Sequence, residues 1–264
     1  MGRFHSVLMG VAAGTLCLLL TVSGVSAESR LLQKDAKLHP QGWSVGELVE
    51  FKGSTTVMLN QWGEVVTGTL DKDTWLTPRG WDRIVQEYYY VTATSDMRPW
   101  FFRYSLPAVD RQYTIAIPDH GHLLYKGGTE VTFDDQGNVL SGTLKEKVTI
   151  RLVEGRYGFI TAKGGTMLEF SPSGAVLSAV LEEDTLLRPA GWQLNANGSD
   201  TAGFMKFSKG KKLTFNELGE VLSGTLKEQT ALLTEAGVST LFTGGSVVYF
   251  HSAGYASAEQ PKAE

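Results

Sequence analysis

Asp119-His120-Gly121-His122 is the stretch with the most coordinating power in this sequence. Two imidazoles two residues apart on a strand share a face, and Asp119 could add an oxygen ligand. No third histidine and no cysteine stand at ligand spacing, however, and Gly121-His122 falls where comparable stretches carry Gly-Trp. His122 therefore reads as a substituted corner aromatic, and no metal is expected. Asp134-Asp135 and Glu182-Glu183-Asp184 are the carboxylate types a glycosidase uses as acid and base. Both lie in turns, where acidic residues serve as solvated loop chemistry. There is no Gly-x-Ser-x-Gly elbow, and the one cysteine, Cys17, lies in the N-terminal apolar run. Gly127-Gly128 and Gly164-Gly165 precede no helix that could present its N-terminus to a phosphate. No catalytic residue and no cofactor are expected.

The richest recognition chemistry is aromatic. Tyr88, Tyr89, Tyr90, Trp100, Phe101, Phe102 and Tyr104 crowd one segment, with Arg98 and Arg103 among them. Tyr89 stands eight residues after Trp81, as Phe51 stands eight after Trp43, so it takes the core position. Strand alternation turns Tyr88 and Tyr90 to the other face. Trp100 and Phe102 share one face, Phe101 and Arg103 the opposite one. Tyr88, Tyr90, Arg98, Trp100, Phe102 and Arg103 are the candidate binding residues, suited to stacking on sugar rings or anchoring a protein partner. The plainer alternative is that these rings fill space left by a lost hairpin.

The elements that must position them are copies. LTFNELGEVLSGTL (213–226) recurs as VTFDDQGNVLSGTL (131–144), and more weakly at 57–70, 168–181 and 248–258. The motif predicts a β-hairpin: a strand ending at Phe215, a turn over Asn216 to Gly219, and a second strand from Glu220 to Leu226. Asn216 opens the turn through its side chain, and Gly219 supplies the left-handed residue that closes it with a bulge. Leu222, Gly224 and Leu226 are expected on one face, Val221, Ser223 and Thr225 on the other. A second phrase, Asp-x-x-Leu-x-Pro-x-Gly-Trp, stands at 35–43, 73–81 and 184–192, with degraded copies at 113, 148 and 229. It predicts six units starting near 35, 73, 113, 148, 184 and 229, each of about four short strands, in an all-β domain over 28–256. The recurring tryptophan is expected to seal one unit against the next.

Residues 1–27 combine a basic start at Arg3, an apolar run and Val25-Ser26-Ala27, the pattern of a cleaved secretory signal. The mature chain is then expected to be cysteine-free, secreted or periplasmic (cell envelope), and without a membrane span. Cleavage removes Arg3 alone among the charged residues, leaving 23 basic against 28 acidic, a mild balance that argues against nucleic acid. Residues 257–264 read as a disordered tail.

The Gly-punctuated units, with an aromatic before the Gly turn and the VxFxxxGxVxSG hairpin, resemble MORN-type tandem hairpin repeats over 51–70, 125–144, 159–181, 207–226 and 241–254. The resemblance implies an open or curled hairpin array with a non-catalytic scaffold or binding role. The alternative closure is a six-bladed propeller ring. The expected function is an exported binding or scaffold module for an envelope polysaccharide or a protein partner. A propeller hydrolase acting on an envelope glycan and a structural spacer are the alternatives.

Overall fold

The repeated hairpin motif forms as its turn chemistry requires. In the computed structural model, which describes residues 28–80, 123–152, 159–194 and 203–259, Asn216 Oδ1 accepts the backbone N–H of Leu218 and of Glu220, each at 2.9 Å. Gly219 sits at φ +73°. Asn60 and Asp134 make the same two contacts in their own turns.

Five modules are built this way, each a two-stranded ribbon followed by a hairpin. A leading strand, β1 (Glu28–Leu31), precedes them. The first module has ribbon β2 (Ala36–Leu38) with β3 (Val49–Phe51) and hairpin β4 (Thr56–Leu59) with β5 (Val65–Thr69). The second has β6 (Thr74–Leu76) with β7 (Leu123–Tyr125), then β8 (Glu130–Phe133) with β9 (Val139–Thr143). The third has β10 (Val148–Arg151) with β11 (Phe159–Ala162), then β12 (Met167–Phe170) with β13 (Val176–Val180). The fourth has β14 (Thr185–Leu187) with β15 (Met205–Phe207), then β16 (Lys212–Phe215) with β17 (Val221–Thr225). The fifth has β18 (Thr230–Leu233) with β19 (Ser239–Phe242), then β20 (Val247–Phe250) with β21 (Ala256–Ser257). No α-helix occurs among the described residues.

The hairpins of successive modules join edge to edge into one antiparallel sheet, ordered β1-β4-β5-β8-β9-β12-β13-β16-β17-β20-β21. The described residues are thus all-β and the sheet open, with β1 and β21 at its edges, which corrects the propeller alternative: the hairpins share one sheet instead of standing as separate blades. The start expected near 113 lies outside the described residues, and β6 pairs with β7 so that 74–76 and 123–125 form one ribbon. Ser257, expected to begin the tail, pairs with Tyr249.

The ribbons cover one face of the sheet, and the core lies between the two layers. Phe51, Tyr125 and Phe207 are fully buried and lie over Gly68, Gly142 and Gly224 of the second hairpin strands. One facing expectation is corrected. The pairing shifts between Thr214 and Phe215, placing Val221 opposite Phe215 and Ser223 opposite Thr214. Leu222 becomes the extra residue of a bulge, so Val221, not Leu222, joins Gly224 and Leu226 inside.

β1 occupies the slot of a second hairpin strand, with Arg30 at the position of Gly68. A charge on the inward side of an edge strand opposes sheet-to-sheet growth. Tyr125 replaces phenylalanine in its slot, and its hydroxyl has no hydrogen-bond partner among the described residues. Burial alone pushes that phenol far above its usual range. Tyr125→Phe, which removes the unsatisfied group and keeps the ring, is expected to raise stability by about 1 kcal/mol in a urea titration; a loss of stability would mean the hydroxyl is satisfied in solution.

Candidate functional site at the loop-bearing edge

The first four modules each contain four connections and the fifth three, and all but one kind never change length. The turn from ribbon to hairpin is always four residues (52–55, 126–129, 163–166, 208–211, 243–246), the hairpin tip always five, and the link to the next ribbon always four. The connection inside the ribbon varies freely: ten residues (39–48), 46 (77–122), seven (152–158), 17 (188–204) and five (234–238). In stacked repeats, insertions collect on one side, commonly the binding side.

Contacts place the described residues of the first, second and fourth of these connections beside hairpin tips. Gln41 Nε2 donates to Phe133 O at 2.7 Å, and Trp43 Nε1 to Gly137 O at 2.8 Å. The Trp43 ring meets Phe133 edge-on at 6.3 Å, so this corner tryptophan does seal the first module against the second. Arg79 makes the strongest clamp: its Nε donates to Pro172 O at 2.7 Å, and its Nη1 to Asp134 Oδ2 at 3.0 Å and Gln136 Oε1 at 2.5 Å. It binds the second module's own tip and the third module's tip immediately before the longest loop departs. In the fourth module Arg188 lies 4.0 Å over the Trp192 ring, and Gly191 touches the Gly254 backbone of the fifth.

The predicted site residues Tyr88, Tyr90, Arg98, Trp100, Phe102 and Arg103 all fall between β6 and β7, outside the described residues, as do Asp119, His120 and His122. The two carboxylate stretches are placed. Asp134 is buried, its Oδ1 taken by the N–H groups of Gln136 and Asn138 and its Oδ2 by Arg79. Asp184 caps a turn on the opposite edge. Asp134 and Asp184 therefore hold turns. Among the described residues no three His, Cys, Asp or Glu side chains gather as a metal would require.

The perturbed carboxylates and lysines also belong to the opposite edge. A hydrogen bond from Lys145 and one from the Gly127 N–H hold the Asp73 carboxyl below its usual range. The Lys209 N–H and Lys227 do the same for Asp184, and Lys72 for Glu50. Lys72 and Lys145 are raised by the same pairs. Carboxylates lowered by folding stabilise the protein above their ordinary value, near 3.8 for Asp73 and Asp184, and that contribution is lost as pH falls through the folded value. Asp73→Asn with Asp184→Asn should therefore flatten the fall in Tm below about pH 4. An unchanged acid limb would show that other carboxylates carry it.

No protein-family model, no curated protein and no solved structure matches the chain. The site therefore rests on its own geometry. Sequence reasoning found the longest loop through its aromatics and missed the Arg79 clamp. The signal for it was the variable residue of Pro-x-Gly-Trp, which is Gln41, Arg79 and Ala190 in the three copies. No helix among the described residues is long and apolar enough to cross a membrane.

Proposed function

We propose that this protein is an exported, non-catalytic hairpin-array module of MORN type that binds an envelope polysaccharide or a protein partner through the 77–122 loop. The observation carrying the reading is the contrast of loop lengths: every other kind of connection is held constant through the five modules while the ribbon connection extends to 46 residues in one of them. A stacking unit needs only a short corner, such as 39–48, to reach the next module. The remaining length, with Tyr88, Tyr90, Arg98, Trp100, Phe102 and Arg103, serves something other than the fold.

The test is cosedimentation of the purified protein with isolated envelope material, comparing the natural chain, Tyr88→Ala with Trp100→Ala, and a variant in which 39–48 replaces 77–122. Both variants should lose at least nine-tenths of the sedimented fraction while Tm moves by only a few degrees. Sedimentation equal to the natural chain, or none by the natural chain, would overturn the reading. A steep fall in Tm for the double variant would assign the rings to the core.

A further inference from the structure

β1 repeats the second half of a hairpin without the first. Ser29-Arg30-Leu31-Leu32 aligns with Ser223-Gly224-Thr225-Leu226, and Ser29 faces Met58 of β4 as Ser223 faces Tyr249 of β20. The Leu32 N–H donates to Thr55 O at 2.9 Å, as that of Leu226 does to Ser246 O. In the first four modules such a strand is also held by its own ribbon. The carbonyls of Thr69, Thr143, Val180 and Thr225 accept the N–H of Lys52, Lys126, Lys163 and Ser208. Two residues further on, Asp71, Lys145, Glu182 and Lys227 donate to ribbon carbonyls. Leu31 and Gln33 stand at those places in β1 and just after it, and no described residue bonds the Leu31 carbonyl or the Gln33 N–H from the ribbon side. All four residues of β1 are exposed, whereas β5, β9, β13 and β17 each carry buried ones.

The fifth module has the converse gap. Its ribbon strand β19 ends in Phe242, the counterpart of Phe207, but no described residue bonds the Thr243 N–H or the Leu241 carbonyl from the sheet side. Their counterparts, the Ser208 N–H and the Lys206 carbonyl, are both taken by the second hairpin strand and its link. β21 has two residues where β17 has five, and Ala258 beyond it is exposed although the matching Gly224 is buried. Counted from Ser257 as Lys227 is counted from Ser223, the donor place falls to Pro261, which has no N–H. The tips show the same two vacancies. Gly137, Gly174 and Gly254 lie against Trp43, Gly80 and Gly191 of the preceding module. Around Gly63 of the first module nothing lies within 4 Å, and the adjacent Trp62 is 74% exposed. In the fifth module Gly237, in the turn of the ribbon, is equally clear.

The geometry points to head-to-tail association of copies of this chain, in which β1 of one copy serves as the second hairpin strand of the fifth module of another. Ser29 then takes the place of Ser257 opposite Tyr249, and β21 yields its two residues. The Thr243 N–H meets the Leu31 carbonyl, the Gln33 N–H meets the Leu241 carbonyl, and the 234–238 turn reaches the tip at Trp62 and Gly63. The repeat itself sets the occupant, because this seam is the one the chain already builds between its own fourth and fifth modules. Arg30 is the mismatch that limits it. It stands where Gly224 lies under the Phe207 ring, so its side chain meets Phe242 and weakens the seam. The two surfaces that meet are different, so joining is open-ended. The 77–122 segment takes no part in it.

The test is cysteine cross-linking of the purified protein in a Cys17→Ser background. Ser29→Cys with Tyr249→Cys, opposite one another in the joined register, should give dimers, trimers and longer species on a non-reducing gel, with each single variant stopping at the dimer. Leu31→Cys with Tyr249→Cys, two residues out of register, should give at least tenfold less. In sedimentation velocity across a concentration series, Arg30→Gly should tighten self-association at least tenfold. Adding Ser29→Pro, which removes an N–H on the strand's free side, or Gly63→Ala should reverse that gain. Tm is recorded for each variant; should the cysteine pair fail to fold, Arg30→Gly with and without Ser29→Pro decides. No ladder from the in-register pair, equal ladders from both pairs, or no tightening by Arg30→Gly would overturn the proposal.

Discussion

Phe207→Ala is expected to lower the free energy of unfolding by about 3–5 kcal/mol, the usual range for a large ring deleted from a packed interior. The ring is fully buried and meets Phe250 of the fifth module edge-on at 6.2 Å. Beneath it lies Gly224, where an added Cβ would sit 2.8 Å from the ring. Deleting the ring thus opens a hole over a residue with no side chain, in a sheet whose backbone is pinned on both sides by β16 and β20. Collapse cannot fill it.

The third module suggests the compensating change. There the ring position is Ala162 and the glycine position Ala179, both buried. Gly224→Ala alone should be destabilising by about 1–3 kcal/mol, because the new methyl meets the ring. Phe207→Ala with Gly224→Ala should therefore be more stable than the two single effects summed. Urea titrations of the four proteins decide this, and strict additivity would show that ring and glycine are not in contact.

Gly191→Ala is expected to cost about 2–5 kcal/mol, combining left-handed backbone strain with a forced separation of two modules. Gly191 has φ +63°, and a Cβ built on it lies 2.2 Å from the Gly254 N and 2.4 Å from its Cα. Backbone on the far side of a contact cannot rotate away as a side chain can, so the fourth module's corner must lift from the fifth module's tip. Gly63→Ala is the matched control: φ is +78° but nothing lies within 4 Å. Its loss should be limited to the conformational part, about 1–2 kcal/mol. Equal losses at the two sites would mean that the corner does not bear on the tip.

The hairpins were legible because their determinants are local. Asn216 and Gly219 act within one turn, and any copy with those residues folds the same way. The pairing of ring with glycine was also on display, as Phe51 with Gly68, Tyr125 with Gly142 and Phe207 with Gly224, but it becomes an interaction only once the ribbon folds over the sheet. The bulge is why Leu222 was misplaced: one extra residue reverses the alternation, and nothing in its own side chain announces it. Contacts between modules were illegible for a different reason. Gln41 and Arg79 reach acceptors 92 and 93 residues away, and a glutamine or arginine in a loop carries no record of the carbonyl it meets. At the candidate site, the aromatic composition of 77–122 was readable, whereas its status as a departure from three fixed connections required the strand boundaries.

The ribbon of β6 and β7 closes over 46 residues where that of the fifth module closes over five. Closing the longer loop costs about 2 kcal/mol more in chain entropy. Elsewhere the hairpins pair within a module or with the next one along, which are the short-range closures that form rapidly. The third, fourth and fifth modules, uninterrupted from residue 148, can therefore assemble as a kinetic nucleus on which the second module's ribbon docks last. During synthesis β5 emerges well before β8, so the first module's hairpin carries an unpaired sheet edge until residues 130–133 have been made.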